Sequence, residues 1–210
     1  TLFVISLFAN LLSALAGGGA GLLQLPALIF LGLPFAVALT THKIASVALG
    51  IGASIKHART GHVRWPFALF ILAFGLPGVV LGASLVLNLP ETIANLLLGL
   101  LTLGLGVYSI YKPQLGQHSE PRHQTGLGLL IGGGVLFVIG ALNGSLTSGT
   151  GLFVTLWLIR WYGLDYKQAL AYTMLLVGFF WNGTGAITLS LLQEPHWQWL
   201  PALLLGSLLG

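Results

Sequence analysis

Cysteine is absent from this chain and charge is scarce, and each absence narrows what the protein can be. Without cysteine there is neither a disulfide framework nor a thiolate metal site. Only 6% of the 210 residues are charged, against about 25% in an ordinary soluble domain. Twelve Lys, Arg, Asp and Glu side chains (8 basic, 4 acidic) would have to solvate the whole surface of a water-borne fold, which is too few. A bilayer needs no such shell. Hydrophobic residues make up 56% of the chain and mean hydropathy is +0.94, so the sequence reads as an all-α integral membrane protein. Acid is rarest of all: Glu91, Glu120, Asp165 and Glu194 fall in polar stretches between apolar runs, which excludes a buried carboxylate proton relay from this stretch. The net charge of +4 comes with no basic stripe of interleaved aromatics, so no nucleic-acid partner is expected and Lys and Arg report orientation instead. His57, His62, His118, His123 and His196 have no metal-site spacing, and neither metal nor cofactor is expected.

What is present is a series of long apolar runs. Residues 36–56, 65–88, 91–111 and 168–190 are each long enough to cross about 30 Å of hydrocarbon as a helix, and a further run extends from Trp197 to Gly210. Two other apolar stretches are interrupted: 1–32 by AGGGAG at 16–21, and 125–161 by NGSLTSGTG at 143–151. Glycine costs about 1 kcal/mol per residue inside a helix, so clustered glycines favour a reversal or an unwound tip. If both stretches are hairpins, the segments 56–64, 112–124 and 160–167 share one side and collect Lys56, Arg59, Arg64, Lys112, Arg122, Arg160 and Lys167, seven of the eight basic residues. The opposite loops hold Glu91 and Glu194. That asymmetry is the positive-inside pattern, and it places the basic loops in the cytoplasm of a bacterial inner membrane.

An internal repeat points the same way. An offset of 131 residues pairs Gly32-Leu33 with Gly163-Leu164, Ala38 with Ala169, Leu39 with Leu170, Gly18 with Gly149 and Gly52 with Gly183. At an offset of 134, Trp65, Ala68 and Leu69 match Trp199, Ala202 and Leu203. Each copy is a re-entrant or broken-helix hairpin followed by three helices, an odd number of crossings, so the second copy is inverted relative to the first. The expected organisation is a first repeat over 1–112, a polar cytoplasmic linker over 113–124 and a second repeat over 125–210. Thr1 and Gly210 both lie inside apolar runs, so both ends read as trimmed, the last helix of the second copy is expected beyond Gly210, and no cleavable signal peptide is visible. Inverted repeats with discontinuous helices place a solute site at the repeat interface of secondary transporters.

Non-helical backbone at membrane depth persists only where protein or a watery cavity satisfies it, so the paired breaks point to a cavity. The free N–H groups of half-helices starting at Gly21 or Gly151 would favour an anion there. Lys43 lies about seven residues into its span, after Thr40, Thr41 and His42, where a central Lys costs roughly 2.5–3.5 kcal/mol. A cation beside two hydroxyls and an imidazole suits a small oxyanion; the alternative is a Lys that snorkels to the interface. Its repeat equivalent is Met174, with Thr173 opposite His42, so charge would come from one copy only. Asn143, Ser145, Thr147, Ser148 and Thr150 add donors and acceptors at the second tip. Gln24 and Asn182 suit interhelical hydrogen bonds at least as well as a ligand. The sequon Asn182-Gly183-Thr184 lies within a span and is not read as glycosylated. Trp157, Trp161, Tyr162, Trp197 and Trp199 fit an interfacial belt, and Pro77 a kink.

The residues AGGGAGLLQLPALIFLGLPFAVALTT, with GHVRW after the next helix, resemble the first repeat of the sulfite exporter TauE/SafE family, and SGTGLFVTLWLIRWYGLDYKQALAYT resembles its second copy. Thr150 stands in place of a glycine of the second turn, and Trp157 stands where the first copy has Pro26. The resemblance implies export of a small anion, sulfite or an organosulfonate such as sulfoacetate, and points to Gly17, Gly18, Gly19, Thr40, Thr41 and the turn Ser148, Gly149, Thr150, Gly151. Together with the residues' own chemistry this yields a candidate substrate-binding set of Gly17, Gly18, Gly19, Gln24, Thr40, Thr41, His42, Lys43, Asn143, Ser145, Thr147, Ser148, Gly149, Thr150 and Thr173. The expected function is a secondary transporter working by alternating access, in contact with membrane lipid. A proton or sodium ion is the candidate coupling ion and a homodimer the candidate assembly. An anion channel is the second reading, and an intramembrane hydrolase using Ser145 with His42, which lacks a nucleophile motif and an orienting acid, the third.

Overall fold

A computed structural model describes residues 1–16, 19–58, 63–111, 120–123 and 125–210. The described secondary structure is helical throughout. In chain order the helices are α1 (Leu2–Ala16), a 3-10 turn (Ala20–Leu22), α2 (Gln24–Phe30), α3 (Phe35–Ala58), α4 (Trp65–Val86), α5 (Glu91–Tyr111), α6 (Gly126–Ser145), α7 (Thr150–Arg160), α8 (Tyr166–Tyr172), a π-helical segment (Thr173–Trp181), α9 (Asn182–Ser190) and α10 (Leu200–Leu209). Four stretches are long and apolar enough to cross a membrane: Phe35–Gly52, Trp65–Val86, Gly126–Ser145 and the continuous run Tyr166–Ser190. Of the expected crossings, α5 forms a 21-residue helix. The run from Trp197 becomes a loop and the ten-residue α10.

Both interrupted stretches reverse direction. In the second, Trp161 and Trp157 at the end of α7 donate from Nε1 to the Gly128 and Gly132 carbonyls near the start of α6, at 2.9 and 3.2 Å. In the first, Gln24 at the start of α2 reaches back to Ser6 on α1. The repeat spacing recurs in the backbone: α3 starts at residue 35 and α8 at 166 (166 − 35 = 131). Each is preceded by a left-handed glycine, Gly32 and Gly163 (163 − 32 = 131), a conformation that glycine adopts without steric penalty.

The helices pair across the two halves. α4 and α6 run parallel: a Cβ on Gly140 would strike the Gly75 carbonyl, and one on Gly144 the Val79 carbonyl. α1 and α10 are likewise parallel, with Ser6 on the Leu203 carbonyl and Ser207 and Gly206 against Phe3 and Leu7. α3 and the α8–α9 run cross antiparallel, Gly50 against Gly178 and Lys43 against Asn182. Lipid offers no hydrophobic drive between helices, so such contacts rest on small residues that let backbones approach.

One end of the bundle gathers basic residues. The Arg64 N–H donates to the Tyr172 hydroxyl (2.7 Å), the Arg122 N–H to the Tyr162 carbonyl and the Glu120 N–H to the Gly163 carbonyl (3.0 and 2.8 Å), beside Arg160 and Lys167. An Arg122–Glu120 ion pair lies on this exposed loop. At the other end the Phe35 N–H meets Glu91 Oε1 and the His196 N–H meets Thr41 Oγ1, both at 2.8 Å. The expected basic positions Arg59 and Lys112 fall outside the described residues.

Gly140→Ala is expected to lower stability by roughly 1–3 kcal/mol through overpacking against α4. Gly134→Ala on the same helix, where a Cβ meets open space, is expected to raise it by about 0.5–1 kcal/mol. Thermal unfolding of the two variants in detergent distinguishes the signs.

Candidate functional site

The two glycine tips meet. A Cβ on Gly21 would lie 3.0 Å from Thr147 Cγ2, 3.2 Å from His42 Nε2 and 3.3 Å from Ser148 Cα, and one on Gly19 would lie 3.4 Å from Leu152. Gly19 (φ 114°) and Gly149 (φ 67°) turn their tips in the left-handed region, and so does Thr147 (φ 61°), which is uncommon for a β-branched residue. Thr147 is held there because its hydroxyl donates to the Asn143 carbonyl and its own carbonyl accepts from the Thr150 hydroxyl, both at 2.8 Å.

Between the tips lies a cavity of about 40 Å³, room for a few water-sized groups. Its wall includes Ser13, Gly19 and Gly21 from the first tip, His42 and Ser46 from α3, Asn143, Thr147, Thr150 and Gly151 from the second, and Thr173 and Asn182 from the α8–α9 run. Gly149 precedes α7 without a side-chain cap, leaving first-turn N–H groups for a guest. The first tip continues only into a 3-10 turn of three residues and the seven-residue α2, so the half-helix expected to start at Gly21 is not a matching element.

Lys43 is fully buried. Its Nζ donates to Asn143 Oδ1 at 2.6 Å and to Asn182 Oδ1 at 3.0 Å, which ties α3 to the second hairpin and to α9 and excludes the snorkelling arrangement. The Lys stem packs against Gly185, where a Cβ would come within 3.2 Å of Cε. The ammonium group thus stands behind the two amides that face the cavity. Asn143 is itself oriented by donating from Nδ2 to Thr150 Oγ1 at 2.8 Å.

Other expected residues are distributed around this centre. His42 lies on the cavity wall, its Nδ1 2.9 Å from Gln24 Oε1, so Gln24 stands behind it. Thr173 lines the cavity and accepts from Thr155 at 2.8 Å. The Ser148 hydroxyl turns outward to Thr102 on α5 (2.9 Å). The hydroxyls of Thr40, Thr41 and Ser145 donate to the carbonyls four residues earlier, at 2.8, 2.7 and 2.8 Å, and none of the three lines the cavity; Ser145 makes no contact with the His42 ring that would support the hydrolase reading. Gly17 and Gly18 lie outside the described residues. Ser13 and Ser46 belong to the wall although sequence reasoning left them out, and so does Asn182, which it weighed chiefly as an interhelical bond. The spacing His42 to Ser46, one helical turn, was the legible signal for Ser46.

The family model described as "Sulfite exporter TauE/SafE" matches residues 2–210. The chain belongs to the TauE/SafE family. Among similar proteins of this TauE/SafE member, one from Haemophilus influenzae named "Probable membrane transporter protein" is 31% identical over 210 residues, covering 100% of this chain and 80% of the relative. "Probable membrane transporter protein ORF9" of Sinorhizobium sp is 29% identical over 175 residues, 83% of this chain and 66% of the relative. "Probable membrane transporter protein YfcA" of Escherichia coli K12 is 31% identical over 176 residues, 83% of this chain and 64% of the relative. The chain therefore spans about two thirds of the length of the last two. No solved structure matches it. The chain is thus a multi-pass membrane protein of a transporter family.

Asn182→Leu is expected to destabilise the protein by roughly 1.5–3 kcal/mol, because a buried charge-assisted bond is lost. Adding Lys43→Met should cost less than the sum of the two single changes, since no cation is then left short of an acceptor and only Asn143 Oδ1 loses its donor; a double-mutant cycle of unfolding free energies reads the coupling.

Proposed function

We propose that this protein is a secondary transporter that carries a small anion, sulfite or an organosulfonate of the sulfoacetate kind, through the cavity between the two tips by alternating access. One observation carries the reading: two non-helical tips from separate halves of the chain close on a polar cavity backed by a fully buried Lys43 with no carboxylate beside it among the described residues. A lysine in that position is a positive field without a resident counter-ion, and a transient anion is the chemistry that completes it. Lys43 acts from behind Asn143 and Asn182, whose amide N–H groups, with the uncapped start of α7, supply the donors that touch the guest, while the Thr147 and Thr150 hydroxyls, bonded to the Asn143 and Thr147 carbonyls, hold the tip in shape. The small volume restricts the guest to a compact headgroup.

The reversed chain path supports alternating access by two inverted repeats, 1–112 and 125–210 joined by the linker 113–124. The first hairpin begins and ends at the bundle end that holds Glu91 and His196, the second at the end that holds Arg64 and Arg122. Each hairpin's first helix packs in parallel on a helix of the other half (α1 on α10, α6 on α4), so rocking of one repeat moves both walls of the cavity together. The basic end is assigned to the cytoplasm of a bacterial inner membrane by the positive-inside bias.

In detergent, wild-type protein titrated calorimetrically with sulfite, sulfoacetate, taurine and acetate should bind a sulfur oxyanion or sulfonate in preference to acetate. Lys43→Met, confirmed folded by gel filtration, should weaken that binding by about tenfold or more. Undiminished affinity would remove the lysine charge from the site.

A further inference from the structure

The bonds around His42 dictate which of its ring nitrogens carries a proton. Ser6 Oγ donates its single hydrogen to the Leu203 carbonyl at 2.7 Å. The end of the Gln24 amide facing Ser6 Oγ at 3.1 Å must therefore be the NH₂ group, and its oxygen faces His42 Nδ1 at 2.9 Å. An amide oxygen only accepts, so Nδ1 carries the hydrogen. Nε2 of the neutral ring is then an acceptor, and it lies on the cavity wall beside Gly21. The neighbouring hydroxyl, Ser46, has its shorter bond to the His42 carbonyl (2.9 Å, against 3.2 Å to Nε2).

No charged group competes for that lone pair among the described residues. The first tip presents Ser13 and Gly21, α2 presents Gln24, the second tip Asn143, Thr147 and Thr150, and the α8–α9 run Thr173, Met174 and Asn182. The one cation nearby, Lys43, is turned to Asn143 and Asn182. A cavity built to attract an anion thus contains a fixed, outward-aimed base.

We propose that His42 Nε2 is the proton-coupling site of the carrier, which rests on the anion-transport reading above. A proton leaves hydronium, the O–H electron pair staying on water, and bonds to the Nε2 lone pair. The resulting imidazolium is one more cation at the wall and holds the anion jointly with Lys43. On the other side, Nε2 returns the proton to water and the anion loses that attraction. Anion and proton move in the same direction, and a monovalent anion crosses with no net charge.

The test uses proteoliposomes with membrane potential clamped at zero by valinomycin and equal potassium, and with labelled sulfite and labelled ethanesulfonate as probes. Ethanesulfonate has no neutral acid form at the pH used, so its proton must ride on the protein. Wild-type protein should exchange a probe and accumulate it inside when the outside is acidic, with a pyranine signal of internal acidification. His42→Asn keeps an N–H near the place of Nδ1 but has no titratable acceptor. It should lose pH-driven accumulation and internal acidification, and whatever exchange it retains should not respond to a pH gradient. A second measurement needs no variant: an about tenfold ethanesulfonate gradient should be held in balance by an opposing gradient of about one pH unit, the signature of one proton per anion. Wild-type exchange that ignores the pH gradient, or undiminished accumulation in His42→Asn, overturns the coupling alone. Exchange of neither probe by wild-type protein overturns the carrier reading, and the coupling with it.

Discussion

A buried lysine with no acid to neutralise it organises the centre of this protein. Lys43 cannot reach water, and its Nζ is instead satisfied by two carboxamide oxygens, one on the second hairpin and one on α9. Those bonds do more than solvate a cation. They fix Asn143 and Asn182 as cavity walls, and Asn143 in turn fixes Thr150 and the geometry of the second tip. Three separate stretches of chain are thereby bound to one side chain, at a depth where polar groups lacking partners are strongly disfavoured.

The packing around that centre explains how it is held. Apolar helices have little reason to choose one another in lipid, and here the choice is made by backbone contact at glycine. Gly78, Gly82, Gly140 and Gly144 bring α4 and α6 together, and Gly50 with Gly178 brings α3 onto the π-helical segment. The Ser6, Asn10 and Ser207 cluster adds a polar lock between α1 and α10. Because all three pairs join the two halves of the chain, neither hairpin is an appendage: each tip is positioned by helices from the other half. The continuous chain of bonds from the Leu203 carbonyl through Ser6 and Gln24 to His42 shows how a remote contact sets the state of a group at the cavity.

Departures from the 131-residue correspondence gather around the cavity. Lys43 has Met174 as its counterpart, so charge enters from one side only. The second run carries nine residues of π-helix, Thr173–Trp181, where the first has an uninterrupted α3; wide helical turns of this kind are frequent at functional sites, and this one lines the cavity with Thr173, Met174, Val177 and Gly178. The Thr150 hydroxyl orients Asn143. Trp157, opposite Pro26 of the first copy, anchors α7 to α6 through the Gly132 carbonyl.

Residue order and composition alone were enough to read the membrane class, the two interrupted stretches, the 131-residue spacing and a lysine inside a span. These follow from composition, from the helix penalty of glycine and from the rarity of charge within a span, all local or counting arguments. Hydroxyl direction was not legible. Thr40, Thr41 and Ser145 look like ligands beside Lys43 and Asn143, yet each satisfies its hydrogen bond on the carbonyl one turn back, a choice set by rotamer and packing rather than by residue type. The role of Asn182 was equally hidden, since a lone amide in a span is indistinguishable from an interhelical bond until its partner is known. The π-helical segment leaves no compositional mark at all. Which polar atoms face the cavity is settled by folding, which brings residues more than a hundred positions apart, such as Lys43 and Asn182 or Ser6 and Leu203, to within one hydrogen bond.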